Sequence, residues 1–436
     1  MENSDSDRQV VTEKKKRSYL PSTLASLRHR NYRLFFFGQM VSLIGTWMQW
    51  TAQGWLVYKI TGSKAMLGVI GFVATLPMLL LSNFGGVIAD RFPRRKILLV
   101  TQTSALIMPL ILADLVLLEV VEVWHIALLA GLLGVVHSFD MPARQAFVVE
   151  MVGREDLLNA IGLNSGIFNS ARIMGPAVAG IVMHAVGIGY CFMVNGISYI
   201  AVIIALYMMR IKDSGRDRQT GSFLRKLVAG FAYVRKDKRL FGIMIILAII
   251  SIFGFSYTRL LPAFASDIFG VGELGFGEML SFNGIGAIVG SLAVASMTRR
   301  KDKREALVAG VLIFCLAVTG FSLTSNFTSG ILLLLILGSG MIMFMTTANT
   351  MIQTIVPDEY RGRVMGVWAF VFGGSMPVGS LAVGFAAEQV GLALTVKVGA
   401  LVCAFAALAA SVVSRKVSEG GRLPRTAGMP PVQSPY

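Results

Sequence analysis

Three ionisable residues stand where a bilayer would make charge costly. Arg172 falls near the middle of an apolar run over 157–183. Asp140 lies in another run, 124–147, with His137 one turn earlier on the same helical face. Ionisable groups inside apolar spans mark ion, proton or substrate paths by default. A buried carboxylate that gains and loses a guanidinium neighbour can bind and release a proton as its surroundings alternate. Asp140, Arg172 and His137 are therefore the proton-coupling candidates, with Asp140 the plausible partner for Arg172. A plainer reading is equally open, in which Asp140 and Arg144 only cap and anchor one end of the fourth run. Asp114, Arg259 and Lys397 sit nearer span ends, where long bases can snorkel.

A second constellation lies between two apolar runs. Gly86-Val-Ile-Ala-Asp90-Arg91-Phe-Pro93-Arg94-Arg95-Lys96 joins a glycine, an acid and a dense set of bases. The bases hold a turn in the cytoplasm. The acid adds nothing to that topogenic signal, so it reads as a polar latch. Gly86 lets a neighbouring backbone approach, and Asp90 can reach an opposing helix N-terminus. A plain topogenic loop is the bland alternative.

Polar residues at helical spacing mark candidate cavity faces. The first run carries Ser42, Thr46, Gln49 and Gln53, with Trp47 and Trp50 among them; the tenth carries Thr346, Thr347, Asn349, Thr350 and Gln353. Asn283 adds to these in the eighth. Any one such residue is as well used to glue helices. As a set with Trp50, Phe255 and Tyr257 they suit an amphipathic organic molecule rather than an ion or a sugar phosphate. In the fifth run, Pro176 bends the helix while Gly175 and Gly180 permit close packing.

Other chemistry lacks residues. No Gly-Lys dipeptide occurs, which removes a Walker A loop and ATP-driven transport. The four histidines are scattered and no Cys/His cluster exists, so neither a metal nor a cofactor is expected. Cys191, Cys315 and Cys403 lie inside apolar runs and read as packing residues. No soluble stretch is large enough for an active site, so the chain reads as a non-enzyme.

The elements that position these residues follow from composition. The chain has 436 residues, 55% hydrophobic and 15% charged, with mean hydropathy +0.68. A soluble protein carries about 25% charged residues. The net charge of +16 is spread over short loops, so it reads as topology and not as a nucleic-acid patch. Twelve apolar segments of spanning length occur, at about 34–58, 65–89, 97–117, 124–147, 157–183, 188–210, 241–265, 274–298, 306–324, 330–355, 362–387 and 392–413. Basic loops alternate with loops poor in bases, which places both termini in the cytoplasm.

The halves echo each other. Val152-Gly-Arg-Glu155 and Ile161-Gly162 fall at a fixed offset from Val356-Pro-Asp-Glu359 and Met365-Gly366, and Gly175, Gly180 and Gly187 from Gly379, Gly384 and Gly391. Six spans, a basic central loop and six more spans give an all-α membrane protein of two pseudo-symmetric six-helix bundles. The divisions are a cytoplasmic segment 1–33 with a short amphipathic helix near 20–30, a bundle 34–210, a central loop 211–240, a bundle 241–413 and a disordered tail 414–436. Within the central loop, Phe223, Leu224, Leu227, Val228, Phe231 and Val234 recur at helical spacing, which predicts an interfacial helix.

These residues resemble the major facilitator superfamily. Gly86, Asp90, Arg91, Arg94 and Arg95 resemble its loop between helices 2 and 3, with Pro93 where a glycine is common. The stretches Leu27–Phe35, Ser42–Gln49, Leu56–Ser63, Pro142–Gln145 and Ala171–Gly180 resemble the branch that holds the enterobactin exporter and macrolide efflux proteins. The resemblance covers about 24–413, and the second-half copy of the latch, Ser296 to Lys301, lacks the acid. It implies that Asp90, Arg91, Arg94 and Arg95 close a cytoplasmic gate against the start of helix 11, where Arg361 and Arg363 are suitable partners. It also implies that Gly175, Pro176 and Gly180 form a helix 5 motif of exporters.

The expected function is secondary active export of a small amphipathic compound, siderophore-like or drug-like, from an inner membrane. Alternating access with proton antiport would drive it, and the partners expected are substrate, protons and membrane lipid around a monomer. Two other readings fit the same pattern: a lipid transporter of this fold, and a non-transporting receptor or assembly partner.

Overall fold

The computed structural model describes residues 22–210, 223–297 and 300–419. Thirteen long helices cover most of them. In chain order they are α1 (Arg30–Thr61), α2 (Lys64–Arg91), α3 (Arg94–Leu117), α4 (Val123–Val152), α5 (Leu157–Ala185), α6 (Ile188–Met208), α7 (Phe223–Lys236), α8 (Lys238–Ile268), α9 (Glu273–Ala295), α10 (Arg300–Leu323), α11 (Phe327–Ile355), α12 (Asp358–Val390) and α13 (Leu392–Glu419). All but α7 are the expected spans, most of them longer at one or both ends, while α6, α9 and α10 stop one to three residues before the expected boundary. No strand occurs among the described residues.

Ten of these helices are long and apolar enough to cross a bilayer unaided. Helix α13 contributes a shorter apolar stretch, 392–406. Helix α1 is more polar, and its Gln39, Ser42, Gln49 and Thr51 are buried against its neighbours. The turn between α1 and α2 shows how tightly such hairpins are made. Gly62 ends α1 at φ +61, a conformation L residues avoid, and the Ser63 side chain then accepts from the backbone N–H of Met66 to cap α2.

Helices α1–α6 pack among themselves, with α2 on α4, α1 on α6 and α3 on both α4 and α6. Helices α8–α13 form the second bundle, with α9 on α11 and α10 on α11 and α13. The bundles meet chiefly through two pairs, α2 with α12 and α5 with α9. One end of the molecule carries the α2–α3 and α4–α5 loops with the bases beside them; it is called the basic end. The other carries the short α1–α2, α8–α9 and α12–α13 turns.

Two sequence expectations change here. The segment near 20–30 is no surface-lying amphipathic helix over its described part. It is a seven-residue 3-10 helix, Ser22–Arg28, tied to the α4–α5 loop. Ser26 N–H donates to Asn159 Oδ1 at 2.9 Å, and Arg28 and His29 reach Asp156 Oδ2 at 2.8 and 2.6 Å. The hydrogen bond from His29, and the Arg28 charge beside it, hold the Asp156 carboxyl below the usual carboxylate range. The chain end differs too, because α13 continues as helix to Glu419, past the expected boundary at 414. Residues 1–21, 211–222 and 420–436, which hold the rest of those terminal and loop expectations, lie outside the described residues.

The predicted central-loop helix is present as α7. It packs on the start of α12: Tyr233 stacks on Tyr360 with ring centroids 4.6 Å apart, Phe231 meets Phe370 edge-on, and Leu227 and Val234 are buried.

Candidate functional site

Three helices at the seam between the bundles each carry two glycines 18 residues apart: Gly68 and Gly86 in α2, Gly180 and Gly162 in α5, Gly384 and Gly366 in α12. Eighteen residues make about five turns, so each pair shares a helix face. Near the short-loop end these faces are in backbone contact. A methyl added to Gly384 would sit 2.8 Å from Gly68 Cα, and one on Gly180 would sit 3.3 Å from Gly277 Cα. At the basic end, a methyl on Gly86, Gly162 or Gly366 would meet nothing within 4 Å. The seam is shut at one end and splayed at the other.

Charges reinforce the shut end, and each contact crosses between bundles. Tyr58 OH donates to Asp267 Oδ2 at 2.6 Å, with Lys64 Nζ 3.4 Å from the same oxygen. Trp55 Nε1 donates to Glu273 Oε1 at 3.1 Å, with Lys59 Nζ at 3.8 Å. Glu388 Oε2 accepts from the backbone N–H groups of Lys64 and Ala65 at 2.7 and 3.2 Å, so a carboxylate from α12 caps the positive N-terminus of α2. Sequence reading missed this lock. Its signal was present: the acids Asp267, Glu273 and Glu388 all fall in short loops opposite Lys59 and Lys64.

At the basic end the expected latch is not made. Asp90 is exposed and, among the described residues, its carboxylate forms no hydrogen bond or ion pair. Arg361 instead pairs with Asp358 on its own helix and donates to the Gln353 carbonyl at 3.1 Å. The Arg363 guanidinium lies over the Tyr360 ring, 5.2 Å from its centroid. Arg94 donates to Glu150 Oε1 at 2.6 Å, and Arg95 to the Tyr207 carbonyl at 3.1 Å, both within the first bundle. The reason is geometric. With the seam splayed here, Arg94, Arg95, Arg361 and Arg363 each turn to their own bundle. Arg91 lies exposed in that same loop.

Midway along the seam the side chains are polar and aromatic. Arg172 Nη2 lies 3.4 Å from Asn283 Oδ1, and Asn283 Nδ2 donates to Tyr257 OH at 2.8 Å and to the Leu334 carbonyl at 3.2 Å. The sequence candidates Arg172, Asn283 and Tyr257 are thus brought together, with Asn283 and Tyr257 buried. Trp47 meets Trp50 and Phe168 edge-on, at 5.1 and 5.6 Å between centroids, and Trp50 stays 45% exposed. Arg259 Nε would lie 3.1 Å from a methyl on Gly71, which places it where α8 faces α2, beside Ser380 of α12. Helix α8 is wound as π-helix over Ile250–Gly254 and Phe264–Ile268, on both sides of this segment. Such wide turns shift side-chain register and gather at functional sites. No periodicity in the sequence announced them.

Other candidates fall elsewhere. Gln49 is buried and accepts from Asn195 Nδ2 of α6, so it glues two helices of one bundle instead of lining the seam. Gln53 is half-buried, as is Asn349, which accepts from Gln353 one turn on at 2.5 Å. Gly175 packs on Trp47 and Met48 of α1, while Gly180 and the Pro176 carbonyl face Gly277 of α9. Only the second half of the helix 5 motif therefore touches the other bundle.

Asp140 does not meet Arg172. Its Oδ1 accepts from Thr101 Oγ1 at 2.8 Å and from Gln102 Nε2 at 2.7 Å, and its Oδ2 pairs with Arg144 one turn on. Arg144 also donates to Gln39 Oε1 at 2.5 Å. This network lies inside the first bundle, with His137 half-buried beside it on α4. Arg144 took the place foreseen for Arg172 because four residues on one helix put it within direct reach. Gln39 Nε2, Gln102 Oε1 and Arg144 Nε are buried with no hydrogen-bond partner among the described residues. Among the described residues no group of His, Cys, Asp and Glu could hold a metal ion.

Comparison with known proteins agrees with this architecture. The family model described as transmembrane secretion effector matches residues 21–431. The Staphyloferrin A transporter of Staphylococcus aureus is 25% identical over 367 residues, covering 83% of this chain and 91% of that protein. Multidrug efflux pump Tap of Mycolicibacterium fortuitum is 25% identical and Macrolide efflux protein A of Streptococcus pyogenes 21%, covering 83% and 84% of this chain and 90% and 92% of theirs. A bacterial homolog to the human lysosomal transporter Spinster, solved in an inward-facing and occupied conformation, superposes with TM-score 0.72 at 13% identity, covering 91% of this chain and 99% of that one. At that identity the likeness speaks for the fold alone. Two six-helix bundles meeting along a one-sided seam, together with the family match over nearly the whole chain, place this multi-pass membrane transporter in the transmembrane secretion effector family of the major facilitator superfamily.

Proposed function

We propose that the chain is a secondary active exporter that works by alternating access, driven by proton antiport, with an amphipathic organic compound as cargo. The observation that carries this is the set of same-face glycines, packed at one end and free at the other. A second state that exchanges packed for open ends needs small residues at both ends of each seam helix, and these helices have them. By the positive-inside rule the basic end lies in the cytoplasm with both termini, so the present state opens inward from a cell membrane. In the opposite state Asp90 and Arg91 close on the start of α12, where Arg361 and Arg363 stand ready, while Gly86 admits the approaching backbone. Asp140, with Arg144 and His137, takes and yields the proton, the unpartnered atoms of Gln39 and Gln102 leaving room for a change of partners. The similarity to a Staphyloferrin A transporter and to two efflux proteins supports cargo of siderophore or drug type, and the two efflux proteins support an outward direction.

The test is transport by purified protein, taken as a monomer in lipid vesicles, with an imposed pH gradient and a panel of siderophore-like and macrolide-like compounds. Gradient-dependent movement, abolished in Asp90→Asn and Asp140→Asn proteins that still insert, is expected. Movement indifferent to the gradient sinks the antiport, and unchanged movement in Asp90→Asn sinks the latch. An apolar groove between α2, α3 and α4, lined by Ile88, Phe92, Val100, Val135 and Phe139, lies within the first bundle and not at the seam. It gives no support to lipid as the cargo.

A further inference from the structure

Among the described residues, two guanidinium groups at the seam, those of Arg172 and Arg259, have no carboxylate partner. Arg172 leaves α5 between two directions fixed by neighbours. Gly175, three residues on, faces α1, and Gly180, eight residues on, faces α9. At 100° per residue these lie about 60° to one side and 80° to the other. Arg172 thus points between α1 and α9, into the space the bundles share. Below it on the same face, toward the basic end, Ile161, Ser165 and Phe168 are all exposed, so that space is open to Arg172. Among the described residues, the only hydrogen bond of its guanidinium is a long one to the neutral Asn283. Arg259 faces α2 and α12 across the seam, half-buried, and among the described residues its guanidinium forms no hydrogen bond or ion pair.

The acids nearby are otherwise engaged or face away. Asp140 is held by Arg144, Thr101 and Gln102, and Asp267, Glu273 and Glu388 are bound into the shut end. Glu278 leaves α9 about 140° round from Asn283, on the exposed stripe of Ile285 and Val289. Charge in the middle of a span without a counter-charge is costly and persists where a function retains it. A guanidinium presents a planar fork that suits a carboxylate or similar oxyanion, and the aromatic wall of Trp47, Trp50 and Phe168 suits an apolar body beside it.

We infer that the cargo is an amphipathic organic anion whose acidic group binds Arg172 and Arg259 at the seam while its apolar part lies on Trp47, Trp50 and Phe168. This deepens the exporter reading and rests on it for the word cargo; the binding site itself does not depend on transport. It also removes Arg172 from the proton site and assigns it to the substrate.

The test uses purified full-length protein in lipid nanodiscs and three probes that share one fluorophore: dansyl-phenylalanine, an amphipathic carboxylate; its neutral methyl ester; and the cation dansylcadaverine. Energy transfer from the seam tryptophans reports binding. The wild-type protein is expected to hold the carboxylate at least about tenfold tighter than the ester, the value of one charge-assisted hydrogen bond. Arg172→Gln and Arg259→Gln each cut that preference about tenfold, and Arg172→Lys and Arg259→Lys keep part of it, since charge stays while the fork is lost. Equal affinity for the three probes, or no binding of the carboxylate, overturns the inference on wild-type protein alone, whatever the variants do. A preserved preference in both Gln variants overturns the assignment of the residues. If the carboxylate is preferred but never moved in vesicles, the anion site stands and the exporter reading falls. If compounds move with no preference for an anion, only this inference falls.

Discussion

The two ends of the seam are built from similar materials and use them in opposite ways. Both have glycines on the facing helix surfaces, and both have acids and bases in their loops. At the short-loop end every described acid in the lock, Asp267, Glu273 and Glu388, binds a partner across the seam. At the basic end Arg94 pairs with Glu150 and Arg361 with Asp358, each within one bundle. Polar contacts within a bundle hold the fold, and in the proposed alternating-access cycle those between bundles choose the state. The magnitudes support a division of labour at the shut end. The Lys59–Glu273 and Lys64–Asp267 pairs are partly exposed and worth about 0–1 kcal/mol each, so backbone packing at Gly68, Gly180, Gly277 and Gly384 must supply most of the closure, with the charges setting register.

The largest expected effect tests the within-bundle side. Arg144→Gln strands the Asp140 carboxylate in the first bundle and should lower stability by about 3–5 kcal/mol, read as a drop in Tm of detergent-solubilised protein. Glu388→Gln, a cross-seam change, should leave Tm nearly unchanged. If the two substitutions destabilise alike, the distinction between fold-holding and state-choosing contacts fails.

Next comes packing. Gly68→Leu forces a side chain into the Ser380–Gly384 backbone and should cost about 1–3 kcal/mol of the shut state, opening the short-loop end. A cysteine placed near Arg259 would then react with an impermeant maleimide from that side. Gly86→Leu meets open space now, so it should leave this state intact and block closure at the other end, stopping transport with an unchanged labelling pattern. A Gly86→Leu protein that still transports would show that this glycine never enters a seam contact.

Smaller shifts come from the lock charges. Asp267→Asn combined with Glu388→Gln should loosen the shut end by about 1–2 kcal/mol, roughly a tenfold change in the ratio of the two labelling patterns, with Tm held. Absence of any change would make these contacts bystanders of glycine packing.

The smallest effect concerns the segment before α1. The Asp156 carboxyl is held low by His29 and Arg28, so its stabilising contribution is fully present above the ordinary carboxylate pKa of about 4. It is lost as pH falls through the lowered value. Protease cleavage near Arg28 should rise on acidification in the wild type and be high at every pH in Asp156→Ala.

Much of this architecture could be read along the chain. Span length and loop charge marked the twelve crossings, because a bilayer imposes its thickness and its charge asymmetry on local sequence, and the helical spacing of apolar residues marked α7. The candidate site was legible only in part. Arg172, Asn283 and Tyr257 stood out as polar groups in apolar runs and do come together. Yet Arg172 was matched with Asp140 for want of another partner, and Gln49 was given to the cavity when it bonds to Asn195. A polar residue in a span must satisfy itself somewhere, but one strand of sequence does not reveal whether its partner is a neighbour in the same bundle or a group across the seam.

Composition, periodicity and loop charge, each a local property, determined by themselves that this chain forms paired helical bundles in a membrane, with bases at one end and small residues on the seam helices. Which end is shut, which acid answers which base, and that two arginines face the seam without a carboxylate were decided by the tertiary structure. Those outcomes depend on the angle between two rigid bodies, and that angle is set by glycine contacts between residues hundreds of positions apart, a sum of many weak packing terms that no single stretch of sequence contains.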